Sequence, residues 1–316
     1  MKGVAFVFPG QGSQAIGMGK ELYARSPAAR RVFQEADEAL GFSLSRLCFE
    51  GPPEMLKQTV NAQPAIMAAS VASLAATRER LNGQLGPLFV AGHSLGEYTA
   101  LVAANVLPFP EALRLVRERG RLMNEAGQRT PGGMVAILGL DLTTVEQVCW
   151  QTGAQVANLN TIGQIVISGT RQSLAWAIDL ARVAGARKVI PLDVSGAFHS
   201  ELMRPAMEAM AKIVVSLPLR DPEMPIISNT TAQPLRDAEA IRHELVAQLC
   251  SCVFWQRSVE YMVRAGVGTF FEVGPGDVLS NLIKRIDRGV GAANVSELLD
   301  SAESGSGTLE AIAHEI

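Results

Sequence analysis

The chain has 316 residues, 48% of them hydrophobic, with a formal net charge of -3 and a pI near 5.9. That is enough apolar material for one large domain or two smaller ones, and the lack of an uncompensated basic surplus argues against nucleic acid as the main partner. No apolar stretch reaches the roughly 20 residues of a membrane span, and the start after Met1 is too short for a signal-peptide core, so the sequence predicts a cytoplasmic protein without a membrane partner.

Val4 to Phe8 reads as a short buried strand ended by Pro9-Gly10. Ser26-Pro27 supplies a cap and a first-turn proline for the helix that Gly41 closes. Pro64 to Leu81 is rich in Ala, Met, Val and Leu and reads as a buried helix leading to a second strand, Leu88 to Ala91. After the flexible stretch Gly127 to Gly133 the pattern becomes strand, helix, strand, strand, helix, strand up to Val194, the βαββαβ order of a ferredoxin-like unit. Strands and helices resume at Pro225 to Ser228, Gly268 to Val273 and Val278 to Ile286, so the larger domain is discontinuous. The expected division is residues 1–128 with 195–300, an inserted unit at 129–194, and a peripheral polar tail at 301–316.

The four cysteines, Cys48, Cys149, Cys250 and Cys252, form no CxxC pair and the histidines are scattered singly, so no metal site is predicted. Glycines at 10, 12 and 17 miss the GxGxxG spacing, and no GK[ST] follows, which excludes dinucleotide and P-loop readings of the first loop. They allow close approach of backbone at a strand end instead.

Gly92-His93-Ser94-Leu95-Gly96 fits GxSxG between a predicted strand and a helix, the setting in which a serine hydroxyl is held outward as a nucleophile. It needs a base. His93 adjoins the serine and reads as structural, His243 falls beside Arg242 and Glu244 on the solvated side of its helix, and His314 is in the tail. His199, in the loop after the strand ending near Val194, is left as the general base. Asp193 or a backbone carbonyl can orient it, the latter giving a Ser-His dyad.

In the helix from Pro110 to Ala126, Arg119 shares its stripe with Ala112, Leu115, Val116, Leu122 and Met123, while Arg114, Glu118 and Arg121 fall opposite. A guanidinium carried toward the core must meet an anion, either a structural carboxylate or a substrate carboxylate.

The motifs FPGQGSQ, GHSLGEY, the Gly-Arg-Leu-Met helix, FHS and EVGPG, in that order from Val4 to about Ile286, resemble the malonyl-CoA:acyl carrier protein transacylase family. The resemblance implies an α/β-hydrolase-like core with an inserted ferredoxin-like domain, and a malonyl group passing from malonyl-CoA through Ser94 to the phosphopantetheine thiol of an acyl carrier protein. It implies His199 as base, Arg119 as the carboxylate-binding residue, and backbone N–H groups of Gln11 and Leu95 as the oxyanion hole. Gln63, Met123, Asn158, Asn160, Gln164, Arg187 and Lys188 match positions lining the substrate and coenzyme A cleft, and Phe198 resembles the malonyl-selecting members. The backbone carbonyl at Phe254 is implied to orient the histidine.

Before Trp255 the sequence reads Cys252-Val253-Phe254, where members commonly carry Pro-Val and a polar residue. No cofactor is implied, and a monomer is expected. A serine hydrolase using the same elbow, or a catalytically silent interaction domain of a synthase complex, are the alternatives.

Overall fold

The computed structural model describes residues 3–81, 86–297 and 299. The chain first forms β1 (Gly3–Phe8), α1 (Lys20–Arg25), α2 (Pro27–Leu40), α3 (Leu44–Glu50), α4 (Pro53–Lys57), α5 (Thr59–Arg80), β2 (Phe89–Gly92), α6 (Leu95–Ala103) and α7 (Phe109–Arg129). A middle segment follows as β3 (Gly132–Leu138), α8 (Leu142–Thr152), β4 (Gln155–Thr161), β5 (Gln164–Thr170), α9 (Arg171–Val183) and β6 (Lys188–Pro191). The rest gives α10 (Arg204–Val214), β7 (Ile226–Ile227), β8 (Pro234–Leu235), α11 (Ala238–Ala247), α12 (Trp255–Arg264), β9 (Val267–Glu272), α13 (Val278–Ile286) and β10 (Gly291–Asn294).

The larger sheet has the order β10-β9-β1-β2-β7-β8, parallel throughout except for the antiparallel edge pair β7 and β8. Helices cover both faces, which is why β1 is apolar without interruption. Phe6 and Phe8 point to the layer holding Ile66, Met67, Leu101 and Val116, while Ala5 and Val7 alternate to the layer holding Trp255, Val259, Leu279 and Leu282. α2 begins as its sequence indicates: Ser26 Oγ accepts from Ala29 N at 3.1 Å, and Gly41 closes the helix at φ 71°. α5 starts earlier than the sequence reading placed it, at Thr59, and carries Pro64 inside its second turn.

The smaller sheet is antiparallel, ordered β4-β5-β3-β6. Val135, Ile137, Ile165 and Ile167 pack on one face against Val145, Leu174 and Ala177 of α8 and α9. Met134, Ala136, Ala157 and Val166, on the opposite face, belong to the main core. The smaller sheet is also tied by backbone to the loop before α12: Val253 N donates to Ala157 O, and Val253 O accepts from Leu159 N, both at 2.9 Å. These bonds fix the Cys252-Val253-Phe254 loop against β4. The predicted tail at 301–316 lies outside the described residues, and no helix among the described residues is long and apolar enough to cross a membrane.

Candidate active site

Ser94 sits between β2 and α6 with φ 52° and ψ -103°, a conformation that costs a non-glycine residue about 1–3 kcal/mol. Its neighbours hold it there: Ser94 N donates to Asn229 Oδ1 at 2.7 Å, and Ser94 O accepts from Gln248 Nε2 at 2.9 Å. The glycines of the motif are steric necessities. A Cβ on Gly92 would stand 1.9 Å from Gly96 C, and one on Gly96 would stand 2.0 Å from Phe8 O. Gly10 has the same role in the first loop, where a Cβ would come within 2.5 Å of His93 O. This close approach brings Gln11 beside the elbow. Gln11 and Leu95 both line the cavity at Ser94, and neither backbone N–H has a hydrogen-bond partner among the described residues.

His199 Nε2 lies 2.7 Å from Ser94 Oγ, and His199 Nδ1 lies 2.9 Å from Gln248 O. A carbonyl can only accept, so the proton sits on Nδ1 and the bare Nε2 faces the serine. Burial, then the Arg119 charge, draw the imidazole pKa down from 6.5 to about 3, so it is neutral at ordinary pH and able to take a proton. Asp193 plays no part in this; it is exposed and pairs with Lys57 Nζ at 3.4 Å. Ser94 and His199 therefore form a dyad oriented by a carbonyl.

Arg119 is 1% exposed. Its Nη1 donates to Gln63 Oε1 at 2.8 Å, and its Nη2 donates to Gln248 Oε1 at 2.8 Å and to Ser94 Oγ at 3.1 Å. The guanidinium carbon lies 5.0 Å from the centre of the Tyr98 ring, and Nε has no partner among the described residues. Amides rather than a carboxylate meet this buried cation. Its charge is thus available to an anion arriving in the cavity, which measures about 280 Å³ and is walled by Met123, Met134, Asn158, Asn160, Gln164, Val166, Phe198, Val278 and Leu282.

An acyl transferase domain family matches residues 5–304 of the chain. The malonyl CoA-acyl carrier protein transacylase of Bacillus subtilis (strain 168) is 47% identical over 302 residues, covering 94% of each chain. The chain belongs to the malonyl-CoA:acyl carrier protein transacylase family. The transacylase of Escherichia coli (strain K12) is 42% identical over 286 residues, 89% of this chain and 92% of that one. Among solved structures, a malonyl-transacylase in complex with its type II PKS acyl-carrier protein superposes with a TM-score of 0.91 at 40% identity, covering 96% of this chain and 99% of that chain. An acyl carrier protein S-malonyltransferase from Vibrio cholerae gives a TM-score of 0.90 at 40% identity, covering 95% and 99%.

Of the remaining positions matched to the transacylase family, Met123, Asn158, Asn160, Gln164 and Phe198 line the cavity. Asn160 Oδ1 is 2.9 Å from His93 Nε2, which gives that histidine the structural role its position suggested, and Gln164 Oε1 accepts from Arg285 Nη1 at 3.1 Å. Gln63 stands behind Arg119 rather than on the wall, with its Nε2 on Met123 Sδ at 3.5 Å. Three further expectations need correction. Arg187 and Lys188 are exposed at the edge strand β6 and do not line the cavity. Phe254 O accepts from Ser258 N and Oγ at the start of α12, so the carbonyl that orients His199 is that of Gln248. Glu244, read as solvated, is buried and accepts from Ser228 Oγ at 2.7 Å and Thr230 N at 3.0 Å, whereas His243 is exposed as expected.

Sequence reasoning missed Gln248, Asn229 and Glu97. Glu97 lay within the quoted GHSLGEY motif, but Gln248 and Asn229 carry no local pattern and reach the site only through the fold.

Proposed function

We propose that this chain is a malonyl-CoA:acyl carrier protein S-malonyltransferase acting through a Ser94-linked acyl-enzyme, in fatty acid or polyketide synthesis. One observation carries the reading: the nucleophile of a Ser94–His199 dyad also touches a buried guanidinium, Arg119, that no carboxylate among the described residues pairs with. A hydrolase needs the dyad but has no use for that cation. An acyl group ending in a carboxylate does.

The malonyl carboxylate pairs with Arg119 and presents the thioester to Ser94. Ser94 Oγ attacks the carbonyl carbon while its proton passes to His199 Nε2, and Gln248 O steadies the imidazolium through Nδ1. The carbonyl oxygen becomes an oxyanion received by Gln11 N and Leu95 N, each donor worth about 100- to 1000-fold in rate. The C–S bond breaks, and the coenzyme A thiolate leaves with the proton from His199. In the second half-reaction the phosphopantetheine thiol gives its proton to His199 and attacks the Ser94 ester; the ester C–O bond breaks, the proton passes from His199 back to Ser94 Oγ, and the thiol carries the malonyl group away. Every step moves a proton or an acyl group, so the reaction requires no cofactor. Phe198 leaves little space for a 2-methyl branch, a discrimination of about 1–3 kcal/mol.

As a fold, the larger sheet and its helices are read as a discontinuous α/β-hydrolase-like domain, 1–128 and 195–300, and the βαββαβ segment 129–194 as a ferredoxin-like insertion. The enzyme is placed in the cytoplasm as a monomer, serving a carrier protein that is free or within a polyketide synthase.

Intact-protein mass spectrometry after mixing with malonyl-CoA should show a malonyl adduct that Ser94→Ala abolishes, and the adduct should be consumed faster by holo carrier protein than by water. An adduct surviving on another residue, or hydrolysis outpacing transfer, would overturn the reading. Arg119→Ala should lower malonyl transfer about 100-fold while raising the relative use of acetyl-CoA.

A further inference from the structure

Glu97 takes no part in the steps above, yet it is 1% exposed and lies in the first turn of α6, directly behind the nucleophile. Its Oε1 accepts from Asn229 N at 2.8 Å, and its Oε2 accepts from Gln248 Nε2. Those two partners hold the backbone of Ser94 on either side, at 2.7 Å and 2.9 Å. Gln248 also reaches both other functional side chains, His199 through its main-chain carbonyl and Arg119 through its amide oxygen.

The hydrogen count on the Gln248 amide shows what a carboxylate contributes here. Both Nε2 hydrogens point at acceptors, Ser94 O and Glu97 Oε2, while the amide oxygen faces a guanidinium that can only donate. A carboxylate excludes the flipped amide, which would set oxygen against oxygen at Glu97 and donor against donor at Arg119. Burial, then the nearby Glu244 charge, hold the Glu97 carboxyl well above the usual carboxylate range, outweighing the N–H groups of Asn229 and Gln248 and the Arg119 charge that draw it down. The orientation argument rests on geometry: each Glu97 oxygen faces a donor, Asn229 N or Gln248 Nε2, and accepts from it. Glu244 is occupied elsewhere, by Ser228 and Thr230.

We propose that Glu97 is a positioning residue for acyl selection, locking the Gln248 amide with its oxygen toward Arg119 and so setting the guanidinium that receives the substrate carboxylate. This rests on malonyl transfer through Ser94 and Arg119.

Glu97→Gln keeps the size of the side chain but adds a donor that must oppose either Gln248 Nε2 or Asn229 N. Three rates are read on the full chain by intact-protein mass: Ser94 acylation by malonyl-CoA, its acylation by acetyl-CoA, and its sulfonylation by phenylmethanesulfonyl fluoride. In the last, Ser94 Oγ bonds to sulfur, fluoride leaves and the serine proton passes to His199, with no carboxylate involved. Glu97→Gln is expected to lower the malonyl-to-acetyl ratio about 10-fold, and malonylation well beyond sulfonylation. Gln248→Leu, which removes the amide but keeps the carbonyl on His199, should lower the same ratio, and the double variant should go no lower than Gln248→Leu alone. The role is overturned if all three rates fall in parallel, if the ratio stays put, or if the two substitutions add. Should Glu97→Gln fail to fold, Gln248→Leu decides, and an unchanged ratio there is fatal. An unaltered chain that is sulfonylated but never malonylated would instead mean that malonyl transfer itself is the wrong reading, and the proposal falls with it.

Discussion

His199 combines a left-handed backbone, φ 57°, with burial to 4% exposure, and both bear on the role of base proposed for it. Left-handed geometry turns the ring between Ser94 Oγ and Gln248 O, and burial keeps it neutral. A base acts only when unprotonated. With its pKa drawn down to about 3, activity should be lost only as pH falls through that folded-state value, and not through 6.5. For malonyl-CoA, kcat/KM should therefore stay level from about pH 8 to about pH 5.5, and a limb centred near pH 6.5 would contradict the assignment. The same shift implies a stability effect: the unfolded histidine binds its proton below 6.5 while the native one does not until about 3, so acidification through this window weakens the fold. Ser94, His199 and Arg119 were all legible as residues. The orienting carbonyl was not, because a carbonyl exists at every position and only the turn after α11 decides which one reaches Nδ1.

Elements with strong local chemistry follow their sequence closely. α2 has its serine cap and closing glycine, α13 spans Val278–Ile286 as read, and the Arg119 stripe on α7 puts its single charge inward as the spacing predicts. The ends of strands were less legible. The run predicted up to Val194 pairs with β3 at Lys188–Pro191, with flanking bonds from Arg187 N to Leu138 O and from Leu192 N to Met134 O, and its last residues leave to form the loop that carries His199. The elbow is the most constrained connection, because Phe8 of β1, β2 and α6 meet there without space for one extra carbon. Gly96→Ala should lower stability by about 3 kcal/mol or more, read as the urea unfolding midpoint with its slope checked. A variant with an unchanged midpoint would show that the contact can relax.

The whole molecule is held as one unit although its two sheets are separate. Met134, Ala136, Ala157 and Val166 of the smaller sheet lie in the main core, Val253 bonds alongside β4, and Asn160 reaches His93 across the cleft. Melting by calorimetry should show a single transition with matching calorimetric and van't Hoff enthalpies; two resolved transitions would mean that the smaller sheet folds alone. The cavity lies at this junction, with Ser94 supplied by one sheet and Asn158, Asn160 and Gln164 by the other.

The sequence by itself indicated β1, β2, α2, α7, α13 and the βαββαβ order, the strand–turn–helix setting of Ser94 and the inward face of Arg119, because each rests on contacts within a few residues or on a periodicity that runs along the chain. Only the tertiary structure decided that Gln248 orients the histidine, that Glu97 and Asn229 stand behind the serine, and that Arg187 and Lys188 stay outside the cavity. Those partners are more than a hundred residues apart for Ser94 with Asn229 or Gln248, and hydrogen bonds over that separation are set by how the layers pack, which no local pattern encodes.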